Sequence, residues 1–223
     1  MTFSIVARCA RTGQFGMAIS SSSPAVAARC AHVRAGVGAV ASQNITDPGL
    51  GPLVLDRLEA GLSAEEALQA VTEGRSFIDY RQLLVVDGAG HTAIHSGSQV
   101  LGVWAEARAT DCAAGGNLLA GELVPIAMVE AFAASKGHLG ERLMQALETG
   151  LTAGGEAGPV HSAGLKVADR LSWPLVDLRI DWSDDPIGML RTAWNVYAPQ
   201  MTAYVQRAED PTQAPSYGVP GDE

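Results

Sequence analysis

The sequence predicts an α+β fold in four layers, with two mainly antiparallel sheets stacked face to face and helices covering both outer faces (αββα). Three observations carry that expectation. Strand patterns of period two come in blocks joined by hairpin-sized turns, which makes antiparallel neighbours. Helical patterns come in pairs between those blocks, whereas a doubly wound parallel sheet needs a helix after each strand. The chain also has the means to fill such a stack: of its 223 residues 47% are hydrophobic and only 17% charged, which excludes a disordered chain and a charged coiled coil.

Taken in order, Thr2 to Cys9 alternates, with Phe3, Ile5, Ala7 and Cys9 on one face and Thr2, Ser4, Val6 and Arg8 on the other. Thr12-Gly13 offers a two-residue hairpin turn before a return strand from Phe15. With Arg11 facing Gln14, Thr2 lies opposite Ser23 and Ser4 opposite Ser21, so four hydroxyls share one face. Gly36–Gln43 reads as a third strand. Leu50, Leu53, Val54 and Leu58 then recur at helical spacing up to Gly61, and Ser63 with Glu66 forms a capping box for a second short helix. A second strand block follows at Arg81–Asp87, His91–Ser96 and Val103–Cys112. Helices are expected over Glu122–Ser135, apolar nearly all round and so expected between layers, and over Leu139–Leu151, which has a clean apolar stripe. Ser162–Ala168 and Leu175–Ile180 read as strands, and Asp185 with Pro186 caps and opens a last helix. No linker interrupts residues 1–208, so they form one domain, and 209–223 is a Pro/Gly-rich extended tail.

Composition narrows the function. Fifteen Lys+Arg against 24 Asp+Glu give a net charge of −9, the reverse of a phosphate-backbone binder, so no nucleic acid partner is expected. No apolar run reaches membrane-span length, and the start lacks the pattern of a secretory signal, so a cytoplasmic protein without membrane attachment is expected. Cys9, Cys30 and Cys112 are too far apart for a zinc ribbon. Asp87-Gly88-Ala89-Gly90-His91-Thr92-Ala93 imitates a dinucleotide fingerprint, but a strand rather than a helix follows it. His91, His95 and Cys112 could be drawn as a metal set, and Cys30-Ala31-His32 as a thiolate pair. Each reads better as ordinary packing, and neither a cofactor nor a metal is expected.

The N-terminus is where chemistry is expected. Initiator methionine is commonly removed before a small residue, which would give Thr2 a free α-amine. Its pKa near 7.7–8.0 suits a general base, so one residue supplies both nucleophile and base. Thr2 opens directly into a strand and is expected at the mouth of a pocket, with Ser21 and Ser23 within one side-chain shell and a Gly116-Asn117 turn as the opposing wall. Backbone N–H groups of the Gly-rich strands or Asn117 would hold the oxyanion, with Gln43 and Asn44 as secondary substrate contacts. A strand-borne N-terminal nucleophile on an αββα stack is also the arrangement of Ntn hydrolases, a likeness at the level of fold.

Several segments, in order and spacing, resemble the domain of unknown function 1028 family: Thr2-Phe3-Ser4-Ile5-Val6-Ala7-Arg8 with Thr12-Gly13-Gln14-Phe15-Gly16, Arg34 to Gln43, Gly61 to Leu68, Arg81 to Asp87, Gly116 to Gly121 and Asp177 to Asp181. The resemblance covers nearly the whole chain to about residue 208 and implies an Ntn-hydrolase-like fold with no established activity. Departures fall after Ala153-Gly154-Gly155, where relatives read Asp-x-Arg-x-x-Gln-Ser-Ala and this chain has Glu156, Ala157 and His161 before Ser162-Ala163. Of two lysines, only Lys166 could serve as a proteasome-type partner, and a solvent-facing role is expected for it. The favoured expectation is an amidohydrolase acting on a small amide or acyl-amine. The alternative is a non-catalytic binding protein on the same fold. A homodimer is expected because Trp182, Trp194, Tyr197 and Tyr204 exceed what one core needs.

Overall fold

Two antiparallel ladders organise the chain in this computed structural model, which describes residues 1–221. The six-stranded sheet is built from β1 (Thr2–Arg8), β2 (Phe15–Ser21), β7 (Ala105–Ala109), β8 (Cys112–Asn117), β9 (Ser162–Ala168) and β10 (Val176–Ile180), in the order β10-β9-β2-β1-β8-β7. The four-stranded sheet runs β3-β4-β5-β6, from β3 (Ala31–Arg34), β4 (Gly38–Asn44), β5 (Arg81–Asp87) and β6 (Thr92–Ser96). Every pairing between these strands is antiparallel.

Alternation along each strand assigns its two faces. From β1, Val6 joins Met17, Ile19, Ala39, Ala41, Leu84 and Val86 in the layer between the sheets. Phe3, Ile5 and Ala7 point the other way, onto α4 (Leu123–Ala134) and α5 (Leu139–Thr152), with Met128, Phe132, Leu143 and Leu147. On the far side, α2 (Leu50–Glu59) and α3 (Ala64–Thr72) cover Val40, Leu83 and Val85. The result is the predicted four-layer sandwich, helices outside two packed sheets. The capping box forms as read, with the Ser63 hydroxyl accepting from the Glu66 N–H and the Glu66 carboxylate accepting from the Ser63 N–H. Asp185 caps α6 (Pro186–Tyr197) by accepting from the Gly188 N–H.

Several expectations are corrected. The first hairpin closes on a four-residue loop, since Cys9 N–H donates to the Gln14 carbonyl at 2.8 Å and the Cys9 carbonyl accepts from Gly13 N–H at 2.8 Å. Gly13 takes φ +76°, a left-handed conformation that glycine allows without strain. The register is thereby displaced by two residues: Phe3 faces Ser20 and Ser4 faces Ile19. A two-residue slip preserves the faces, so Ser21 stays on the Thr2 side. The single strand expected over Val103–Cys112 is two strands, because Asp111 turns the chain at φ +66°. Gly116 and Asn117 therefore end β8, paired with Phe3 and Thr2, and do not form a turn. The short α1 (Val26–Cys30) and β3 lacked a period long enough to read, and α7 (Met201–Glu209), with no buried residue, has no buried stripe to mark it. The aromatic surplus is also revised. Trp194 is buried, its indole N–H donating to Glu141 at 2.8 Å, and the Tyr197 hydroxyl donates to the Leu175 carbonyl at 2.8 Å. Both serve to seat α6 in the core.

Beyond α7 the chain folds back: the Arg207 guanidinium lies 3.7 Å over the Tyr217 ring and donates to the Pro215 carbonyl at 2.9 Å. Residues 222–223 of the expected tail lie outside the described residues.

Candidate functional site

At one end of the layer between the sheets, the apolar fill gives way to buried polar side chains. The sequence dictates this. Inward positions that carry Val6, Ile19, Ala41, Leu84 and Ala113 further along carry Thr2, Ser4, Ser21, Gln43, Gln82 and Asn117 at the strand ends, all at most 5% exposed. Burial obliges such groups to find partners, and they form two connected sets.

The first set surrounds Thr2. Its strand pairs with Asn117 on one side, and its hydroxyl donates to the Met1 carbonyl and lies 3.4 Å from Ser21 Oγ. The Ser21 hydroxyl donates to that same carbonyl at 2.5 Å. With that proton committed, Ser23 Oγ donates to Ser21 Oγ at 2.8 Å, and Arg29 Nη2 donates to Ser23 Oγ at 3.1 Å. A guanidinium thus terminates a two-hydroxyl chain that ends on a carbonyl oxygen, and each link polarises the next. The Ser21–Ser23 turn is clamped from β9, where the Ser162 hydroxyl donates to the Ser23 carbonyl at 2.6 Å, and from the preceding residue, where His161 N–H donates to the Ser21 carbonyl at 2.8 Å.

The second set spans both sheets. The Ser4 hydroxyl donates to Gln43 Oε1 at 2.7 Å. Gln43 Nε2 donates to Gln82 Oε1 at 2.8 Å, and Asn117 Nδ2 reaches the same oxygen at 3.3 Å. Gln82 Nε2 donates to Ser96 Oγ at 3.1 Å and to the Gly116 carbonyl at 3.3 Å. Asn117 Oδ1 is left buried with no partner. It is an acceptor on the same face as Thr2, on the neighbouring strand, awaiting a donor.

Glu156 supplies the charge. An antiparallel bridge to Leu119 holds it beside the end of β8, and its carboxylate accepts from the Ser22 N–H at 3.1 and 3.2 Å. Burial pushes its carboxyl up to about 7, against the pull of the N-terminal ammonium and the Ser22 bond. The folded chain therefore holds this proton more tightly than the unfolded chain, whose value is 4.5. Stability from this group is greatest at acid pH and falls as pH rises from about 4.5 to about 7, by up to about 3 kcal/mol. Urea unfolding across that range should show the decline in the wild type and a flattened profile in Glu156→Gln.

The structure thus brings Thr2, Ser21, Ser23 and Asn117 to one place. Gln43 lies behind them, and Gly116 contributes its carbonyl to Gln82. Asn44 does not join: at φ +72° it turns away, its amide donating to the Tyr80 carbonyl at 2.6 Å. Thr2 is 5% exposed rather than at a pocket mouth, its hydroxyl turned to the Met1 carbonyl. Met1 is itself 37% exposed, with the end of its side chain near Gly158. Lys166 pairs with Asp177 at 3.0 Å, away from Thr2.

His91 is exposed beside Asp87, His95 bonds the Ile78 carbonyl, and Cys112 is buried in the helix-side core. Among the described residues no group of three or more His, Cys, Asp or Glu side chains is placed to hold a metal. Sequence reasoning missed Gln82 and Arg29 as members of the site and noted Glu156 only as a departure. Gln82 alone had a readable signal, a glutamine in the inward register of Leu84 and Val86.

A model of a family of unknown function, DUF1028, matches residues 2–190. The crystal structure of a DUF1028 protein from Silicibacter pomeroyi is similar at a TM-score of 0.85 and 32% identity, over 92% of this chain and 90% of that one. Anbu (ancestral beta-subunit) from Yersinia bercovieri matches at a TM-score of 0.39 and 12% identity, over 91% of this chain and 97% of that one, a likeness too low to argue from. No curated protein matches the chain.

Proposed function

The chain belongs to the DUF1028 family, whose function is unknown, and from that premise we propose that it is an Ntn-type amidohydrolase acting on a small amide or acyl-amine. The observation that carries the reading is the treatment of the Met1 carbonyl. A carbonyl attached to Thr2 already has its oxygen bound by Ser21 at 2.5 Å, at the end of the Arg29–Ser23 chain, with the Thr2 hydroxyl directed at it.

Once Met1 is removed, the Thr2 nitrogen is an amine. It takes the proton of Oγ as Oγ attacks the substrate carbonyl carbon, and Ser21 donates to the oxyanion. Collapse of the tetrahedral adduct breaks the C–N bond, the leaving amine takes the proton, and water hydrolyses the ester on Thr2. Asn117 Oδ1, buried without a partner on the strand paired with Thr2, is the acceptor this reading assigns to the Thr2 ammonium in the protonated part of the cycle. Water-excluding burial of the cluster fixes these groups before substrate arrives. The expected homodimer and cytoplasmic location complete the reading.

One observation favours the second reading, a non-catalytic binding protein on the same fold. With Met1 in place the Thr2 nitrogen is an amide, and the Thr2 hydroxyl is buried and bonded to the Met1 carbonyl. Intact mass and a panel of amides, ureas and acyl-amino acids separate the two. The hydrolase reading expects a mass lower by one methionine residue and an acyl adduct or turnover on Thr2. Complete retention of Met1 with no adduct would leave binding as the function.

A further inference from the structure

Helix α4 is apolar nearly all round, Leu-Val-Pro-Ile-Ala-Met-Val-Glu-Ala-Phe-Ala-Ala, with Glu130 its one charge, a composition that asks for more cover than one face gives. The fold covers only half of it. Val124, Met128 and Phe132 are buried against the six-stranded sheet, while Leu123 is 68% exposed and Ile126 is 42% exposed. Val103 and Trp104, 45% and 42% exposed, share one surface groove with Ile126, bordered by Glu106 and Glu122, which links the helix to the sheet edge.

That edge is β7, the outermost strand, whose outer N–H and C=O groups have no strand beside them. Its sequence is Ala105-Glu106-Ala107-Arg108-Ala109. Arg108 has no hydrogen-bond or ion-pair partner among the described residues, and Glu106 meets only the Ser96 hydroxyl, at 2.9 Å. Glu106 and Arg108 project to the same face, two residues apart. Two antiparallel copies of this strand related by a two-fold axis at Ala107 place each Glu106 opposite Arg108 of the second copy, and Ala105 opposite Ala109. The charge pattern is self-complementary in one register only: a shift by two sets Glu106 against its own copy or Arg108 against its own copy.

We propose that a second copy of this chain docks here, β7 pairing with β7 and α4 packing on α4 through Leu123 and Ile126, to give a homodimer with a continuous twelve-stranded sheet. Such an interface is isologous, with an apolar centre and paired charges on one face, as a closed two-fold dimer requires. It also backs onto the candidate site. Leu118 N–H, one residue after Asn117, donates to the Leu101 carbonyl at 2.9 Å, and Leu119 N–H donates to the Val103 carbonyl at 2.8 Å. The segment leading into the docking strand, Leu101 and Val103, thus supports the residues that follow Asn117, and Ala105 of β7 pairs with Gly116. The interface does not depend on the hydrolase reading.

Light scattering and sedimentation of the full chain at tens of micromolar should give twice the 23.1 kDa chain mass. Arg108→Glu sets Glu against Glu at two symmetry-related places and should weaken the dimer at least about tenfold. Glu106→Arg combined with Arg108→Glu restores complementarity in the same register and should restore the dimer, a recovery that a misfolded variant would not show. Leu123→Glu, at a site 68% exposed in the monomer, should dissociate the dimer without changing the far-UV spectrum. A monomeric wild type, a dimer indifferent to Arg108→Glu or Leu123→Glu, or a charge-swapped double variant that stays monomeric would each overturn the proposal.

Discussion

Thr2→Ala should lower amide turnover by at least about 10³-fold, the loss typical of removing a covalent nucleophile. The comparison is a clean one, because alanine is also small enough for initiator methionine to be trimmed before it. Wild type and variant then share the free amine and differ in Oγ and the Cγ2 methyl, and Thr2→Ser separates the two. Thr2→Ser, which keeps Oγ, should retain activity within about tenfold of wild type. Ser21→Ala removes the donor to the carbonyl oxygen and should cost about 10²–10³-fold in kcat, the range for one oxyanion donor. Intact mass must accompany each assay, since a variant that keeps Met1 is silent for a different reason. Equal activity in wild type and Thr2→Ala would remove Thr2 from the chemistry altogether.

Gln82→Ala should destabilise the fold by about 3–4 kcal/mol, the largest effect expected of any polar substitution in the interior. Its amide is the junction of the inter-sheet set, accepting from Gln43 and Asn117 and donating to Ser96 and the Gly116 carbonyl. Removing it strands Asn117 Nδ2, leaves Gln43 Nε2 only the Gly115 carbonyl at 3.2 Å, and opens a cavity between the sheets. Each stranded buried donor costs about 1–3 kcal/mol. A urea titration reads the loss, and a Gln43→Ala/Gln82→Ala cycle should show coupling above about 1 kcal/mol because the two share one bond. A loss below about 1 kcal/mol would mean that water has replaced the amide. Because Gln82 holds Asn117, Gln82→Ala should also alter the Thr2 site without touching Thr2.

Much of this was legible in the chain because it depends on local periodicity. The alternation of β1 assigned Phe3, Ile5 and Ala7 to one face and Thr2, Ser4 and Val6 to the other, and the sheets are stacked on those faces. Arg81–Asp87 and Ser162–Ala168 are bounded as the pattern bounds them. The Ser63 capping box needs only three residues of separation to specify itself. What failed was decided beyond the local window. The turn after Cys9 takes four residues because Gly13 can be left-handed, so the pairing moved by two while the faces held. Five-residue elements such as α1 carry too few turns to show a period.

The sequence by itself determined the layers, the faces and the placing of a threonine at the start of the first strand, because side chains alternate every two residues along a strand wherever that strand lies. Only the tertiary structure decided that Arg29 reaches Ser23, Glu156 reaches Ser22 and Gln82 reaches Asn117. They come from different elements in both sheets and their loops, and no spacing along the chain encodes which of many buried polar groups become neighbours. Desolvation forces each to find a partner, and that choice is made only when the two sheets close on one another.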